Sequence, residues 1–293
     1  MRYVGNAFVD YSITKELNLR ATVYADLSNR ERRQYTPLYN MYDPTLSGNQ
    51  VFAKNSLTAV EQNAINTQAF QQDYIATYKK KFGEHSITAT AGITTYYNKY
   101  TELYGTISQS VPDKSIIPND KRFWYLSTGF GNTATLRATS AQRDYATFSG
   151  LARLLYNYKN KYYLTGSFRR DGASQINSEY SKKFQNFWAL GAAWELTKED
   201  FMKNVKVFDY LKLKASTGLL GNFNALGKDY PAYPTISSSA SAVFGSSLVP
   251  VIMPDYLVDP NLHWETVNST EIGIEADMLK RKLHVELDYY YKK

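Results

Sequence analysis

Residues 162–222 alternate apolar and polar positions in three successive runs. Tyr162, Leu164, Gly166 and Phe168 alternate with Tyr163, Thr165, Ser167 and Arg169. Trp188, Leu190, Ala192, Trp194 and Leu196 alternate with Ala189, Gly191, Ala193, Glu195 and Thr197, and Leu211, Leu213, Ala215, Thr217 and Leu219 with Lys212, Lys214, Ser216 and Gly218. Period two places one parity on each face of a β-strand, so these runs predict three strands, each with one apolar face. The same rhythm returns in Ala7, Val9, Tyr11 and Ile13, in Leu17, Leu19, Ala21, Val23, Ala25 and Leu27, and in Ile87, Ala89, Ala91 and Ile93. It recurs in Phe148, Gly150, Ala152, Leu154 and Tyr156, and in the last hairpin, Ile272, Ile274, Ala276 and Met278 followed by Leu283, Val285 and Leu287.

Between these runs the connections alternate in length. Tight turns are predicted near residues 15, 82, 159 and 281, with a moderate connection over 198–206. Long loops are predicted over about 30–66, 105–142, 171–183 and 222–263, where Pro37, Pro44, Pro112 and Pro118 break the pattern. About ten strands result, with every short turn at one end. Water on both ends of a soluble sandwich gives no reason for such asymmetry. An outer-membrane barrel does, because its turns are short on the periplasmic side and its loops long outside. The fold class predicted is therefore all-β, an antiparallel up-and-down transmembrane β-barrel segment covering residues 1–293.

Composition agrees. The chain carries 26 Tyr, 14 Phe and 4 Trp, and rings at strand ends such as Tyr156, Tyr158, Tyr162 and Tyr163 suit a bilayer interface. The last hairpin sets Glu271, Glu275, Asp277, His284, Glu286 and Asp288 opposite its apolar parity, a face that needs water or fixed partners, as a lumen provides. No run approaches the roughly 20 apolar residues of a spanning helix. A net charge of +7 comes from lysines scattered through turns such as Lys79, Lys80 and Lys81, which points to solvation or anionic head groups and not to nucleic acid. Residues 1–6 lack the pattern of a signal peptide, so an exported protein would carry one elsewhere in a longer precursor.

Catalytic and metal chemistry are not signalled. Absence of Cys excludes disulfides, thiolate metal sites and a Cys nucleophile. His85, His263 and His284 stand apart from any ligand spacing, and the glycines of residues 218–222 suit strand termination better than a phosphate loop. No cofactor is expected. The segment Arg169-Arg170-Asp171-Gly172 fits either of two roles: a ligand clamp, or an ion pair where a strand leaves the membrane with Gly172 easing the turn.

Residues 167–174 (SFRRDGAS), 192–204 (AAWELTKEDFMKN), 211–222 (LKLKASTGLLGN) and 259–293 resemble successive barrel segments of the SusC/RagA family of TonB-dependent outer-membrane transporters of Bacteroidota. The resemblance covers about residue 150 onward, and upstream it rests on strand rhythm. It implies a barrel of about 22 strands with a plugged lumen, energised through TonB by way of a plug region, capped by a SusD-like surface lipoprotein, and importing oligosaccharides or peptides. About ten strands cannot close that barrel, and no plug or TonB-contacting segment is recognised. The chain is thus expected to be a fragment that needs the remainder of the barrel and outer-membrane lipid. Under this resemblance Trp124, Tyr125, Tyr230, Tyr233 and Trp264, with Arg170 and Asp171, are the substrate-contact candidates, loop packing being the alternative for each ring. A passive porin or adhesin-type barrel without energy coupling is the rival function, and an enzyme ranks behind both.

Overall fold

The computed structural model describes residues 1–42, 45, 51–176, 183–223, 230–259 and 261–293. Its strands are Arg2–Ser12 (β1), Leu17–Thr36 (β2), Tyr39–Tyr42 (β3), Val51–Asn55 (β4), Ala59–Phe82 (β5), His85–Ser108 (β6) and Arg137–Tyr158 (β7). They continue with Tyr162–Ala173 (β8), Phe184–Glu195 (β9), Phe208–Asn222 (β10), Ile236–Phe244 (β11), Ser247–Pro254 (β12), Glu265–Met278 (β13) and Leu283–Lys292 (β14). Ten of them form one sheet in the order β1-β2-β5-β6-β7-β8-β9-β10-β13-β14, while β3-β4 and β11-β12 are separate two-stranded sheets. Neighbours in sequence are thus neighbours in the large sheet, the up-and-down order predicted. Among the described residues no helix is long and apolar enough to cross a membrane, which says nothing of crossing by strands.

Register joins the apolar parities across strands. Phe168 lies opposite Trp188, Leu164 opposite Ala192 and Tyr162 opposite Trp194. Leu213 faces Trp194 on one side and Ile274 on the other, and Ile274 faces Leu287. A slip of one residue would turn every one of these side chains to the opposite face, so the pattern fixes the register. These apolar side chains are open rather than buried: Leu190 is 55% exposed and Ile272 61%. In water such a face would be a liability; against acyl chains it is the matched surface. A shallow groove of about 740 Å³ on this face is lined by Ala76, Ala91, Ala152, Leu154, Phe168 and Leu190, a surface for lipid tails.

Tight turns of two to four residues, 13–16, 83–84, 159–161 and 279–282, close the short end. Lys159 and Asn160 both have positive φ, 58° and 52°, as the central residues of a type I′ turn over 158–161 in which Lys161 N donates to Tyr158 O, and Gly83 takes φ 58° where no Cβ interferes. Just above these turns an aromatic belt crosses five strands. Phe82 stacks with His85 (5.2 Å), His85 meets Tyr158 (4.7 Å), Tyr158 stacks with Tyr162 (6.2 Å) and Tyr162 with Trp194 (6.3 Å). Glu199, in the connection after β9, accepts hydrogen bonds from Lys161 Nζ (2.7 Å), Tyr162 OH (2.6 Å) and Trp194 Nε1 (2.7 Å). These donors, Lys161 first, hold its carboxyl down at about 2.

The described residues fall into two compact units: 1–5, 24–70 and 98–144; and 6–23, 71–97 and 145–293. The second holds the strand segments next to the short turns. β5 and β6 have 24 residues each, more than twice the roughly 9–11 that span a bilayer, so the stretch nearest the turn at Gly83 suffices to cross. Here the structure corrects the predicted boundaries. The long loop placed at 30–66 contains the end of β2, the β3-β4 hairpin and the start of β5; that at 105–142 begins only after Ser108 and ends before Arg137; that at 222–263 holds β11-β12. Outside the bilayer each face of a strand meets water or covering protein instead of lipid, so alternation lapses while the hydrogen-bonded ladder continues.

In the first unit, Val60, Ile107 and Ile117 form a small core with Tyr35, Trp124 and Leu126. Buried Thr58 and Gln109 pin the chain around it: Thr58 Oγ1 donates to Gln109 Oε1, which also accepts from Ile116 N (3.1 Å), and Thr58 Oγ1 accepts from Ile117 N (3.2 Å).

Two outcomes test these assignments in the full-length protein. Replacing lipid-facing Leu190 with Arg costs about 2–4 kcal/mol of barrel stability, whereas Ser216→Arg, on the opposite parity and facing Glu271, is near neutral in urea unfolding. Because the Glu199 carboxyl titrates near 2 rather than at its ordinary 4.5, its stabilisation is complete above about pH 4.5 and disappears as pH falls towards 2. Glu199→Gln therefore lowers the unfolding midpoint at pH 7, and the gap between variant and wild type closes progressively below pH 4.5.

Candidate functional site

The polar parity of β10, β13 and β14 is a wall of charge. Lys212 pairs with Glu275 (3.5 Å), and Lys214 bridges Glu286 (2.5 Å) and Asp288 (2.9 Å). His284 Nδ1 lies 2.6 Å from Asp277 Oδ1. Gly273 makes the Lys214 bridge possible. It lies directly opposite both Lys214 and Asp288, and a Cβ there would overlap the Asp288 carboxylate and the Lys214 side chain. The lysine stem thus crosses the glycine to reach the second strand beyond its own. Carboxylates outnumber lysines on this wall, giving it a net acidic character.

Toward the loop end of β7 and β8 the same parity carries Arg169, Asp171 and Ser149. Arg169 Nε donates to Asp171 Oδ1 (2.6 Å) and its Nη2 to Ser149 Oγ (3.1 Å). Arg170 takes no part in this pairing. Strand alternation sends it to the apolar parity, where its guanidinium lies 5.3 Å from the centroid of the Phe184 ring. The four-residue segment therefore divides between two faces, and only Arg169 and Asp171 meet. Gly172 also differs from expectation: it lies inside β8, and the Phe184 ring occupies the space its Cβ would need, so it serves close packing and not a turn. The same holds for Gly221, against the Phe187 ring, near the end of β10.

In the first unit a second polar-parity cluster stands on β5, β6 and β7. Tyr100 OH donates to Glu102 Oε2 (2.8 Å), Asn63 Nδ2 donates to Glu102 Oε1 (2.7 Å), and the Arg143 guanidinium lies 4.4 Å from the Tyr100 ring centroid. Well beyond the spanning stretch, Glu102 is held below its ordinary range by the Tyr100 hydroxyl and then the Asn63 amide. Sequence reasoning missed this cluster. The signal was present in the alternation Tyr100, Glu102, Tyr104, but the lapse of apolar partners had marked the region as the end of a strand.

The loop aromatics separate by role. Trp124 stacks on Tyr35 at 5.7 Å and 8°, joined to the Val60, Ile107 and Ile117 core. Tyr35, Val60, Gln62 and Ile107 carry the apolar parity of β2, β5 and β6, and Leu126 N donates to Gln62 Oε1 (2.9 Å). The 109–136 loop is thereby folded over that side of the strands, away from the Tyr100 and Glu102 cluster. Tyr125 stays half exposed, with the Arg33 guanidinium 4.5 Å from its ring centroid. Tyr230 and Tyr233 meet edge to face at 6.3 Å, tied by Tyr256, whose hydroxyl donates to the carbonyls of Tyr230 (2.7 Å) and Tyr233 (2.9 Å). Trp264 is only 8% exposed, packed with Ala173, Ile176, Phe187 and Phe223. For Trp124 and Trp264 the contacts are those of packing; Tyr125 and Tyr233 retain open ring surface.

Among the described residues no group of three or more His, Cys, Asp or Glu is placed to hold a metal ion. The arrangement offers ion-paired walls and exposed rings, suited to contacting polar ligands or partner segments.

One lipid-facing side, one ion-paired side and an aromatic belt beside short turns define a segment of a transmembrane β-barrel. Residues 3–293 match the family described as TonB dependent receptor-like, beta-barrel, and the chain belongs to that family, receptors of the Gram-negative outer membrane and not enzymes. It is 30% identical over 302 aligned residues to a TonB-dependent receptor of Formosa agariphila, covering 99% of this chain and 27% of that protein. The TonB-dependent receptor SusC of Bacteroides thetaiotaomicron is 29% identical over 174 residues, covering 58% of this chain and 17% of SusC. Among solved structures, the RagAB peptide importer in its open-open state matches 99% of this chain and 29% of its own at a TM-score of 0.77 and 19% identity. The siderophore receptor PiuA of Acinetobacter baumannii matches 99% and 39% at 0.53 and 12%. The chain spans about a quarter of the length of the curated receptor that it matches end to end.

Glycine substitutions test the wall. Gly273→Val displaces the Lys214 bridge and destabilises the full-length barrel by roughly 1–3 kcal/mol in urea unfolding. Gly150→Val, where a Cβ meets nothing within 4 Å, has no such cost.

Proposed function

We propose that these residues form part of an outer-membrane TonB-dependent importer of oligosaccharides or peptides, acting with a SusD-like surface lipoprotein. The observation that carries the reading is a single sheet with lipid on one parity and a hydrogen-bonded, ion-paired wall on the other, in a chain of the TonB-dependent receptor family. A plug and the TonB-contacting segment belong, in this reading, to other parts of the parent protein, and residues 1–293 are a part of its barrel domain. Similarity to SusC and to the RagAB peptide importer supports import over adhesion.

Substrate contact is assigned to the loop end. In the second unit Arg169 and Asp171 offer a charged pair and Tyr233 an open ring; in the first, taken by itself, Tyr100, Glu102 and Arg143 offer a mixed aromatic and polar surface and Tyr125 an open ring on which a sugar or peptide side chain can stack. Arg170 contributes at the outer rim against Phe184, and Trp124, Tyr230 and Trp264 contribute by holding the loops in shape.

Uptake of a fluorescent oligosaccharide or peptide by cells carrying the full-length protein decides the matter. Import that saturates and is lost when TonB is deleted supports the importer. Flux that persists without TonB and rises linearly with concentration establishes the passive porin instead.

A further inference from the structure

The chain's net charge is gathered at one end. Residues 13–16, 79–84, 159–161, 196–209 and 279–282, the short connections and the strand ends beside them, carry 12 Lys or Arg against 5 Asp or Glu. The remaining residues carry 22 of each, so the whole +7 belongs to the short-turn end. Ion pairs do not use it up. Glu84 pairs with Lys159 (3.1 Å), Glu199 with Lys161 (2.7 Å) and Asp200 with Lys203 (2.7 Å), while Asp209 accepts from the backbone N–H of Arg281 (2.9 Å). Two basic triplets, Lys79-Lys80-Lys81 and Lys280-Arg281-Lys282, are exposed, and their side chains have no ion-pair partner among the described residues.

The level at which these cations stand points to their ligand. Alternation carries Lys80 onto the lipid parity, between Tyr78 and Phe82 and in line with Ala76. Phe82 opens the aromatic belt, and further along it Lys159 Nζ lies 5.3 Å from the Tyr158 ring centroid and Lys161 Nζ 5.5 Å from that of Tyr162. In the connection after β9, Phe201 meets Trp194 of the belt edge to face at 6.3 Å, with Lys198 and Lys203 on either side of it in sequence. Cations and rings therefore share one layer at the rim of the apolar face. Rings settle at the boundary between acyl chains and head groups, and a lysine stem rising from an apolar surface sets its ammonium among the phosphates. An acidic soluble protein would pair with the cations without any need for rings on the lipid parity.

We propose that the short-turn end binds anionic phospholipid head groups, monoanionic phosphodiesters such as that of phosphatidylglycerol, through the triplets 79–81 and 280–282. The inference rests on the barrel assignment and holds whether the parent protein is an importer or a porin. Attraction to an anionic surface accumulates over basic residues near it and is screened within about 10 Å at 0.1 M salt. Preference for the anionic lipid therefore falls as salt rises.

The test uses the full-length protein, delipidated in detergent and titrated separately with phosphatidylglycerol and with phosphatidylcholine of the same chain length, bound lipids being counted by native mass spectrometry. Wild type binds phosphatidylglycerol in preference. Replacing all six residues of the two triplets with Gln lowers its apparent affinity for that lipid about 10-fold or more, leaves phosphatidylcholine binding unchanged and preserves the heat-modifiable gel shift of an assembled barrel. If the sixfold variant fails to assemble, Lys79→Gln, Lys80→Gln, Lys81→Gln is compared with Lys54→Gln, Lys114→Gln, Lys121→Gln, which removes the same charge from the first unit outside the short turns; only the former weakens phosphatidylglycerol binding. Undiminished phosphatidylglycerol binding by an assembled sixfold variant overturns the proposal, as does an equal loss in the two triple variants. Unchanged lipid binding with loss of uptake by cells also overturns it, assigning the basic turns to a periplasmic protein.

Discussion

Hydrocarbon offers no hydrogen bonds to a backbone, so every amide that crosses a bilayer must find its partner within protein. That requirement governs this sheet. It makes each strand pair with its sequence neighbour through ladders such as β7-β8 and β8-β9, and it converts period-two alternation into an absolute assignment of side chains to lipid or to the interior. The curated receptor that the chain matches is longer, the chain covering 27% of it.

From the same constraint follow the two ends of the sheet. Near the short turns, rings from Phe82 through Tyr158 to Trp194 form a belt whose polar ends need fixed acceptors, and Glu199 supplies one for both Tyr162 and Trp194. Away from those turns the strands outrun the bilayer, and small cores of their own take over, as around Ile107 in one unit and Trp264 in the other. Charged wall and lipid face are thus two readings of one alternation, and function is placed where the alternation stops being dictated by lipid.

That division also sets how much was legible beforehand. Strand pairing, turn positions and the lipid parity could be read from Leu164, Leu190, Leu213 and Ile274, because a half-apolar environment imprints itself residue by residue. Extensions such as 105–108 of β6 and 137–142 of β7 were hidden, since water and protein on either side leave no period to detect. In sequence Arg169-Arg170-Asp171 fitted either a ligand clamp or an ion pair at the strand's exit; adjacent strand residues point apart, so the pair that meets is Arg169 with Asp171. Trp264 stood out as a large ring in a long loop; what sequence could not show was Phe187 and Phe223 closing over it. Gly273 gave no sign of its role, which depends on a lysine one strand away reaching a carboxylate on the next.

The absence of cysteine from these 293 residues makes the central claim directly measurable. Single cysteines placed in turn at positions 188–193 of β9 in the full-length protein, spin-labelled in native-composition bilayers, report access to oxygen in lipid and to a water-soluble nickel chelate. Positions 188, 190 and 192 are predicted to favour oxygen and positions 189, 191 and 193 to favour the chelate or to be immobilised by protein, with a period of two. A uniform profile, or one with the opposite phase, would contradict the assignment of lipid and interior on which the whole account stands.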